Sequence, residues 1–199
     1  FINIFESDFY REYMLKQEPD FNEDKKLISK IYTDIIFPNE SLAQVLEEKS
    51  IYWNDGLDFI ISMILKTFKK FKVSNGYDQQ LLELYKNEDD RIFAVNLLRK
   101  SIIHRDEYLE YIKTNTKNWD LERIAFMDII IMQMAITELV NFSSIPTKVT
   151  LNEYLDIAKY YSTIKSNVFI NGVLDKVVEQ LRNEKKMIKT GRGLIGENE

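Results

Sequence analysis

The chain has 199 residues, 45% of them hydrophobic and 30% charged, with a formal net charge of −5 at pH 7. This composition is typical of a globular protein with one large domain or one domain carrying an insertion, and excludes wholesale disorder; the lack of cysteine excludes disulfides and thiolate metal sites. The negative charge weighs against tight, unaided nucleic-acid binding, because such binding draws on phosphate neutralisation by lysine and arginine.

Apolar residues spaced at i, i+3, i+4 and i+7 recur along the first part of the chain, which indicates helices rather than strands. We predict a first helix over Ile2–Leu15, a second from Asn22 to Pro38, and a shorter third over 39–48. The apolar stripe after Asn54-Asp55-Gly56 predicts a fourth helix, which Ser74-Asn75-Gly76 ends.

Four lysines lie towards the end of this fourth helix, at Lys66, Lys69, Lys70 and Lys72. One interpretation is an RNA-facing patch. The other, which the sequence favours, is a solvated helix end whose cations match the negative end of the helix dipole.

The second half of the chain continues the helical pattern. We predict helices starting near Asp89 and over 106–113, and a long one over 120–140 that is apolar on most sides and therefore central. Thr150 and Glu153 have the spacing of a capping box, which predicts that the next helix begins there.

A last helix is predicted over Lys165–Leu181, with Phe169, Val173, Val177 and Leu181 spaced by four residues. Gly172 falls inside this helix, where we interpret it as permitting close approach of a neighbouring helix. The segment after residue 182 has three glycines and no apolar stripe, which predicts a mobile tail.

These elements predict an all-α protein with three regions: additional N-terminal helices over 1–87, a helical core over 88–182, and a flexible tail over 183–199. The chain opens at Phe1-Ile2 inside an apolar pattern, so we interpret it as a fragment whose true N-terminus lies elsewhere. The longest apolar run, around 129–132, is far shorter than the roughly 20 residues that span a bilayer.

Residues that could support catalysis are few. The sole histidine, His104, has only Asp106 nearby as a carboxylate partner, and the chain has no Gly-rich phosphate loop, nucleophile elbow or zinc motif. We therefore expect no enzymatic activity, no cofactor and no metal site.

Asp128 interrupts the apolar stretch Ile124–Ile131, where burial of a carboxylate without a partner would be costly. It is interpreted either as a structural hydrogen-bonding or ion-pairing group or as an anchor for a cationic partner chain, and the structural role is favoured. Glu122 lies six residues earlier, about 120° away around a helix, so both carboxylates fit one broad interface but not one narrow stripe.

Lys165, Ser166, Asn167 and Phe169 surround the predicted start of the last helix. Free backbone donors, a lysine and an aromatic ring together offer phosphate contact and base stacking, which predicts a small RNA-contact patch. The alternative makes Ser166 or Thr163 a helix cap and Phe169 a core residue; for Phe169 alone, the core is favoured.

A series of motifs occurs in a specific order along the second half: Trp119-Asp120-Leu121-Glu122-Arg123-Ile124, Glu138-Leu139, Ile145-Pro146-Thr147-Lys148-Val149, Asn152-Glu153, and Phe169-Ile170-Asn171-Gly172-Val173-Leu174-Asp175. This ordered series resembles the NusB family of bacterial transcription antitermination factors. The resemblance covers roughly Asp89–Leu181.

The resemblance implies an all-helical, NusB-like bundle in the cytoplasm that binds the boxA element of ribosomal RNA transcripts together with NusE, a basic ribosomal protein. The complex acts on RNA polymerase indirectly, by helping it to read through terminators. By the same resemblance, Glu122 and Asp128 would face NusE, and Lys165 and Phe169 would face RNA, with Ser166 and Asn167 beside them.

The sequence also departs from the family pattern. It has no Arg-rich N-terminal arm, and residues 1–86 are interpreted as having no counterpart in a compact NusB protein. The chain resembles the C-terminal part of a long-form NusB, so we expect exposed apolar surface and self-association of the fragment.

Two other functions stay open at this point. The chain also resembles the NusB-like domain that precedes some ribosomal RNA cytosine methyltransferases, although an enzyme of that kind needs a large cofactor domain after the helices. A helical protein-interaction scaffold without RNA binding is the third hypothesis, with residues 1–86 as its interface.

Overall fold

The computed structural model describes residues 1–116, 123–163 and 165–196, and these residues form helices and connecting segments without a strand, as the all-α prediction requires. Two compact units divide the chain, an N-terminal unit over Phe1–Leu84 and a C-terminal unit over Tyr85–Glu199. None of the described helices is both long enough and apolar enough to cross a membrane.

The N-terminal unit contains five α-helices joined by short turns. Its helices are α1 (Ile2–Glu6), α2 (Asp8–Met14), α3 (Phe21–Lys30), α4 (Glu40–Lys49) and α5 (Leu57–Lys70). A π-helical segment over Ile31–Ile36 extends α3, and 3₁₀ turns follow α4 and α5 at Ile51–Trp53 and Val73–Asn75.

The prediction of one continuous first helix is wrong, because Ser7 interrupts it and separates α1 from α2. Ser7 is extended, and its hydroxyl donates to the Ile4 carbonyl at 2.7 Å, a local bond that competes with the helical backbone pattern. The helix α3 begins after Asp20, whose side chain accepts from the Glu23 N–H while Glu23 accepts from the Asp20 N–H. This capping box was missed in the sequence.

The C-terminal end of α5 contacts α3 and the π-helical segment that extends it. The Lys25 ammonium of α3 donates to the Phe71 carbonyl at 3.2 Å, and the rings of Tyr32 and Phe68 lie 5.7 Å apart. The predicted entry of α5 is confirmed, since it begins at Leu57 directly after Gly56, which has φ 78°. Ile61 of α5 is buried, at 6% exposure.

The C-terminal unit contains the main hydrophobic core of the described residues. Its helices are α6 (Glu88–Ile103), α7 (Arg105–Asn115), α8 (Phe126–Asn141), α9 (Thr147–Tyr161) and α10 (Ser166–Asn183). The prediction of a central helix is confirmed, because α8 packs against α6, α7, α9 and α10. Its fully buried side chains include Met132, Ile136 and Leu139.

The helix α8 begins later than predicted. Ala125 has a non-helical conformation, with φ −56° and ψ 135°, and precedes the first helical residue, Phe126. Ile124 before it is buried in the core. Residues 120–122 of the predicted helix lie outside the described residues. The apolar spacing predicted too early a start, because Ile124 is buried like a helical core residue although it lies before the helix.

The helix α9 begins at Thr147, so the predicted capping box at Thr150 and Glu153 is wrong. Pro146 occupies the N-cap position, where its missing N–H leaves no hydrogen bond unmade. Thr150 lies inside the first turn and is fully buried, and its hydroxyl donates to Glu138 at 2.8 Å.

The segment after α10 makes specific contacts. Met187 is buried with the core, and the Thr190 N–H donates to the Ser143 carbonyl at 2.9 Å. A Cβ atom on Gly193 would lie 1.9 Å from the same carbonyl oxygen, so the chain passes Ser143 at a distance that only glycine permits. The mobility of residues 183–199 stays a prediction.

Gly172 does not have the role predicted for it. A Cβ atom there would meet nothing within 4 Å, so no neighbouring helix approaches closely. Replacing Gly172 by alanine is expected to raise the free energy of unfolding by up to about 1 kcal/mol, because alanine has the higher helix propensity. Urea unfolding followed by circular dichroism measures this change. A marked loss of stability would restore the close-approach interpretation.

Candidate functional site

A buried polar network joins the start of α8 to the loop between α9 and α10. Asp128, in the first turn of α8, is only 4% exposed. One of its carboxylate oxygens accepts a hydrogen bond from the Ser162 hydroxyl, and the other accepts from the Ser166 hydroxyl at 2.9 Å. The network therefore satisfies the carboxylate with two hydroxyl donors and fixes the loop against α8.

The hydroxyl groups of the loop are themselves linked. The Ser162 hydroxyl lies 3.0 Å from the Ser166 oxygen, which also accepts from the Thr163 N–H at 3.3 Å. Ser162 ends α9 and Ser166 begins α10, so the network holds both helix ends at once. Ser162 was missed in the sequence; its only signal there is the group of hydroxyl residues around one helix boundary.

The four residues of the predicted RNA-contact patch lie together at the start of α10, but their exposure differs. Lys165 is exposed, whereas Ser166 is buried at 3% exposure. Asn167 is half-buried, and its side-chain amide donates to the Leu155 carbonyl at 2.8 Å. Phe169 is half-buried and packs against the hydrophobic core, as the core alternative predicted.

The solvent-facing part of this segment therefore consists of Lys165 and the apolar side chain of Val168, which is 78% exposed. Phe169, four residues after Lys165 and so on the same side of α10, is half-buried. Ser166 and Asn167 face inward and hold the backbone of the turn. We define Lys165, Val168 and the accessible part of Phe169 as the α10 start surface. A cation beside apolar surface is able to contact a phosphate and a base together.

The two predicted partner-facing carboxylates have different outcomes. Glu122 lies outside the described residues. Asp128 makes the structural hydrogen bonds that the favoured interpretation required, and its burial leaves little of the carboxylate for direct contact with another chain.

A second buried carboxylate lies at the other end of α8. Glu138 is 6% exposed and accepts from the Thr150 hydroxyl at 2.8 Å and the Tyr154 hydroxyl at 3.1 Å. Burial, and then the charge of Glu138, raise the pKa of the Tyr154 phenol well above its ordinary value, so this phenol stays a donor at neutral pH. Glu138 therefore ties the first turns of α9 to α8.

Catalytic groups are sparse in this part of the molecule. The His104 ring nitrogen lies 3.5 Å from a Glu107 oxygen on the protein surface, one turn further along the chain. No group of three or more histidine, aspartate and glutamate side chains suited to a metal ion occurs in the described ranges.

Comparison with known proteins identifies the chain. A sequence model of the NusB family matches residues 59–179. The chain is 37% identical over 139 residues to the transcription antitermination protein NusB of Salinibacter ruber, an alignment that covers 67% of this chain and 87% of that protein. It is 34% identical over 119 residues to the protein of that name from Finegoldia magna, covering 57% of this chain and 87% of the relative.

A solved structure of T. maritima NusB resembles the chain with a TM-score of 0.48 and 21% identity, over 85% of this chain and 98% of that one. The family assignment rests on the sequence matches. These also correct the extent predicted from the motifs, because the match begins at residue 59, inside α5, rather than near Asp89. By the ordered motifs and by the matched region, the chain belongs to the NusB family.

Proposed function

We propose that this chain acts in transcription antitermination by binding boxA-type RNA of ribosomal RNA transcripts together with the ribosomal protein NusE. The observation that carries the proposal is the family match over 59–179, supported by relatives named transcription antitermination proteins. In this proposal the chain works in the cytoplasm as a binding protein rather than an enzyme, and acts on RNA polymerase through the complex.

The α10 start surface is the proposed RNA contact of the C-terminal unit. Lys165 would contact a phosphate, and the accessible part of the Phe169 ring would stack on a base. Ser166 and Asn167 would support the contact from inside, because their hydrogen bonds to Asp128 and to the Leu155 carbonyl fix the backbone that presents Lys165.

The proposed partner NusE is basic, whereas this chain is acidic. The chain carries a net charge of −5, so NusE would supply much of the positive charge that RNA binding requires. Glu122 and the first turn of α8, which carries Asp128, are the proposed NusE-facing features. NusE is therefore expected to raise the affinity for RNA rather than to add an independent binding event.

The test is fluorescence anisotropy with boxA RNA and a scrambled RNA of the same composition, with and without NusE, at one fixed near-physiological salt concentration. Selective boxA binding that strengthens with NusE supports the proposal. Equal affinity for the two RNAs in both conditions contradicts it, and absence of RNA binding together with a retained NusE complex would favour the scaffold hypothesis.

Variants locate the contact. Replacing Lys165 by glutamine is expected to weaken boxA binding about threefold, the effect of one lost phosphate contact at physiological salt. Lys176→Gln is the matched control, because Lys176 is exposed further along the same helix and makes the same change in charge. Equal loss in both variants would show a general charge effect and remove Lys165 from the proposed contact.

Phe169 needs a substitution that separates packing from stacking. Phe169→Leu keeps an apolar side chain against the core and removes the ring, so we expect about fivefold or greater loss of RNA affinity with a small change in stability. Unchanged RNA affinity in this variant would leave Phe169 as a core residue alone.

A further inference from the structure

The C-terminal end of α5 presents a dense positive surface in a chain that is acidic overall. Residues 59–77 contain four lysines and no aspartate or glutamate. Lys66, Lys69, Lys70 and Lys72 are all exposed. We define these four residues as the α5 lysine cluster.

Helix geometry gathers three of the four lysines on one face of α5. Lys66, Lys69 and Lys70 lie within about 100° of one another around α5, at 100° per residue. The side chains that pack the helix, Ile61, Ile64 and Phe68, lie on the opposite side and are buried or half-buried. The lysines therefore point to solvent because the apolar side of the helix is turned inward.

The cluster is not neutralised within the part of the chain that the structure describes. No carboxylate there lies within ion-pairing distance of these four ammonium groups, whereas Lys16, Lys113, Lys159 and Lys186 each have a carboxylate partner. Lysines crowded on one face without counter-charges repel one another, so an approaching polyanion would relieve this repulsion.

The helix dipole accounts for only part of this charge. The C-terminal end of a helix carries a partial charge equivalent to about half an electron. Lys25 of α3 already donates to the Phe71 carbonyl just beyond that end. Four further cations exceed what the dipole compensates, so the dipole explains only part of the cluster.

The loop after α5 adds an aromatic side chain at the same place. The Gln79 side chain accepts from the Lys72 N–H at 3.1 Å and donates to the Lys72 and Gly76 carbonyls, both at 2.8 Å. These three hydrogen bonds close the loop over 72–76, and Tyr77, the next residue, is fully exposed. The exposed side chains of Lys72 and Tyr77 thus flank a loop that three hydrogen bonds stabilise.

We propose that the α5 lysine cluster and Tyr77 form a second RNA-contact surface, in the N-terminal unit, that binds the phosphates of single-stranded RNA and stacks one base on Tyr77. Lysines on one face with an adjacent exposed aromatic ring are the combination that single-stranded nucleic acids require. This proposal rests on the proposed RNA-binding function. The contact would be made to the RNA phosphates and would not depend on the RNA sequence.

The test compares two variants that remove the same charge. One carries Lys69→Gln, Lys70→Gln and Lys72→Gln; the control carries Lys26→Gln, Lys30→Gln and Lys49→Gln, all exposed in the same unit and outside α5. Binding of a short oligouridine and of boxA RNA is measured across a salt titration. Circular dichroism confirms that both variants are folded.

The cluster variant is expected to bind both RNAs about tenfold or more weakly at low salt, and to lower the slope of log affinity against log salt by about 2, as three lost phosphate contacts on a single strand predict. Its preference for boxA over a scrambled sequence is expected to stay unchanged. An unaltered affinity and slope, or an equal loss in the control variant, would overturn the proposal.

Tyr77 provides an independent measurement. Tyr77→Ala is expected to reduce oligouridine affinity about fivefold or more, and Tyr77→Phe to retain it, because stacking needs the ring and not the hydroxyl. Photo-crosslinking of oligouridine, with mass spectrometry of the adducts, is expected to label residues 66–77. Labelling confined to other segments would contradict the assignment.

The two proposals fail in different ways. Loss of boxA selectivity with the oligouridine effect intact would remove the antitermination proposal and leave the second surface standing. Selective boxA binding in which the cluster variant behaves as wild type would do the reverse. If the cluster variant loses binding to anionic lipid vesicles but not to oligouridine, the surface is a membrane contact and the RNA assignment is wrong.

Discussion

Replacing Leu174 by alanine is expected to lower the free energy of unfolding of the C-terminal unit by about 3–5 kcal/mol. Leu174 lies in α10, is fully buried and belongs to the hydrophobic core cluster. Truncation removes buried methyl and methylene groups and leaves a cavity that the surrounding helices fill only in part. Urea unfolding followed by circular dichroism measures the loss.

The matched control is Leu174→Met, which conserves volume and is expected to cost less than about 1.5 kcal/mol. Comparable losses in both variants would indicate that the site does not tolerate any change of shape. A loss below about 1 kcal/mol for Leu174→Ala would contradict the packing described for α10. Gly172, two positions earlier in the same motif, is expected to accept alanine without loss of stability. Alanine substitution should therefore have opposite effects at these two positions.

The second large effect is expected at Asp128. Asp128→Ala removes a buried acceptor from the Ser162 and Ser166 hydroxyls, and a hydrogen bond to a charged group contributes about 1.5–3 kcal/mol. We therefore expect a loss of about 3 kcal/mol in the free energy of unfolding. Asp128→Asn keeps the size and one carbonyl acceptor, so its loss is expected to be smaller.

A double-mutant cycle tests the cause. Asp128→Ala and Ser166→Ala are expected to be strongly non-additive, because each removes the same hydrogen bond. Additive effects would show that the pair does not interact in solution. Unchanged stability of Asp128→Ala with weakened NusE binding would instead make Asp128 a direct partner anchor.

Most helices were predictable because their apolar residues recur with a period near 3.6 residues, and burial of these residues drives the fold. Helix starts were less predictable, because the capping-box spacing is common along a chain. Asp20 and Glu23 form such a box, whereas Thr150 and Glu153 have the same spacing inside α9, past its start at Thr147. Pro146 and burial of the Thr150 hydroxyl against Glu138 decided the second case.

The sequence predicts which segment holds the candidate site, but not the hydrogen bonds that shape it. The positions of Lys165 and Phe169 follow from the start of α10, which the sequence indicates well. The bonds of Asp128 to Ser162 and Ser166 span 34 and 38 residues, and no local pattern contains information on which distant hydroxyl reaches a buried carboxylate. Only the packing of α8 against α9 and α10 brings these groups together.

The two buried carboxylates of α8 have a joint consequence for the alignment of α9. Asp128 accepts a hydrogen bond from the C-cap residue of α9, and Glu138 accepts hydrogen bonds from the first two turns of α9. The helix α9 therefore runs antiparallel to α8. The two carboxylates that fix it lie about 15 Å apart along α8. A slip of α9 by one helical turn would remove the Ser162 donor from Asp128 and both donors from Glu138 together. The pair of helices has a single register, so residues inserted within α9 would have to bulge out between the two fixed points.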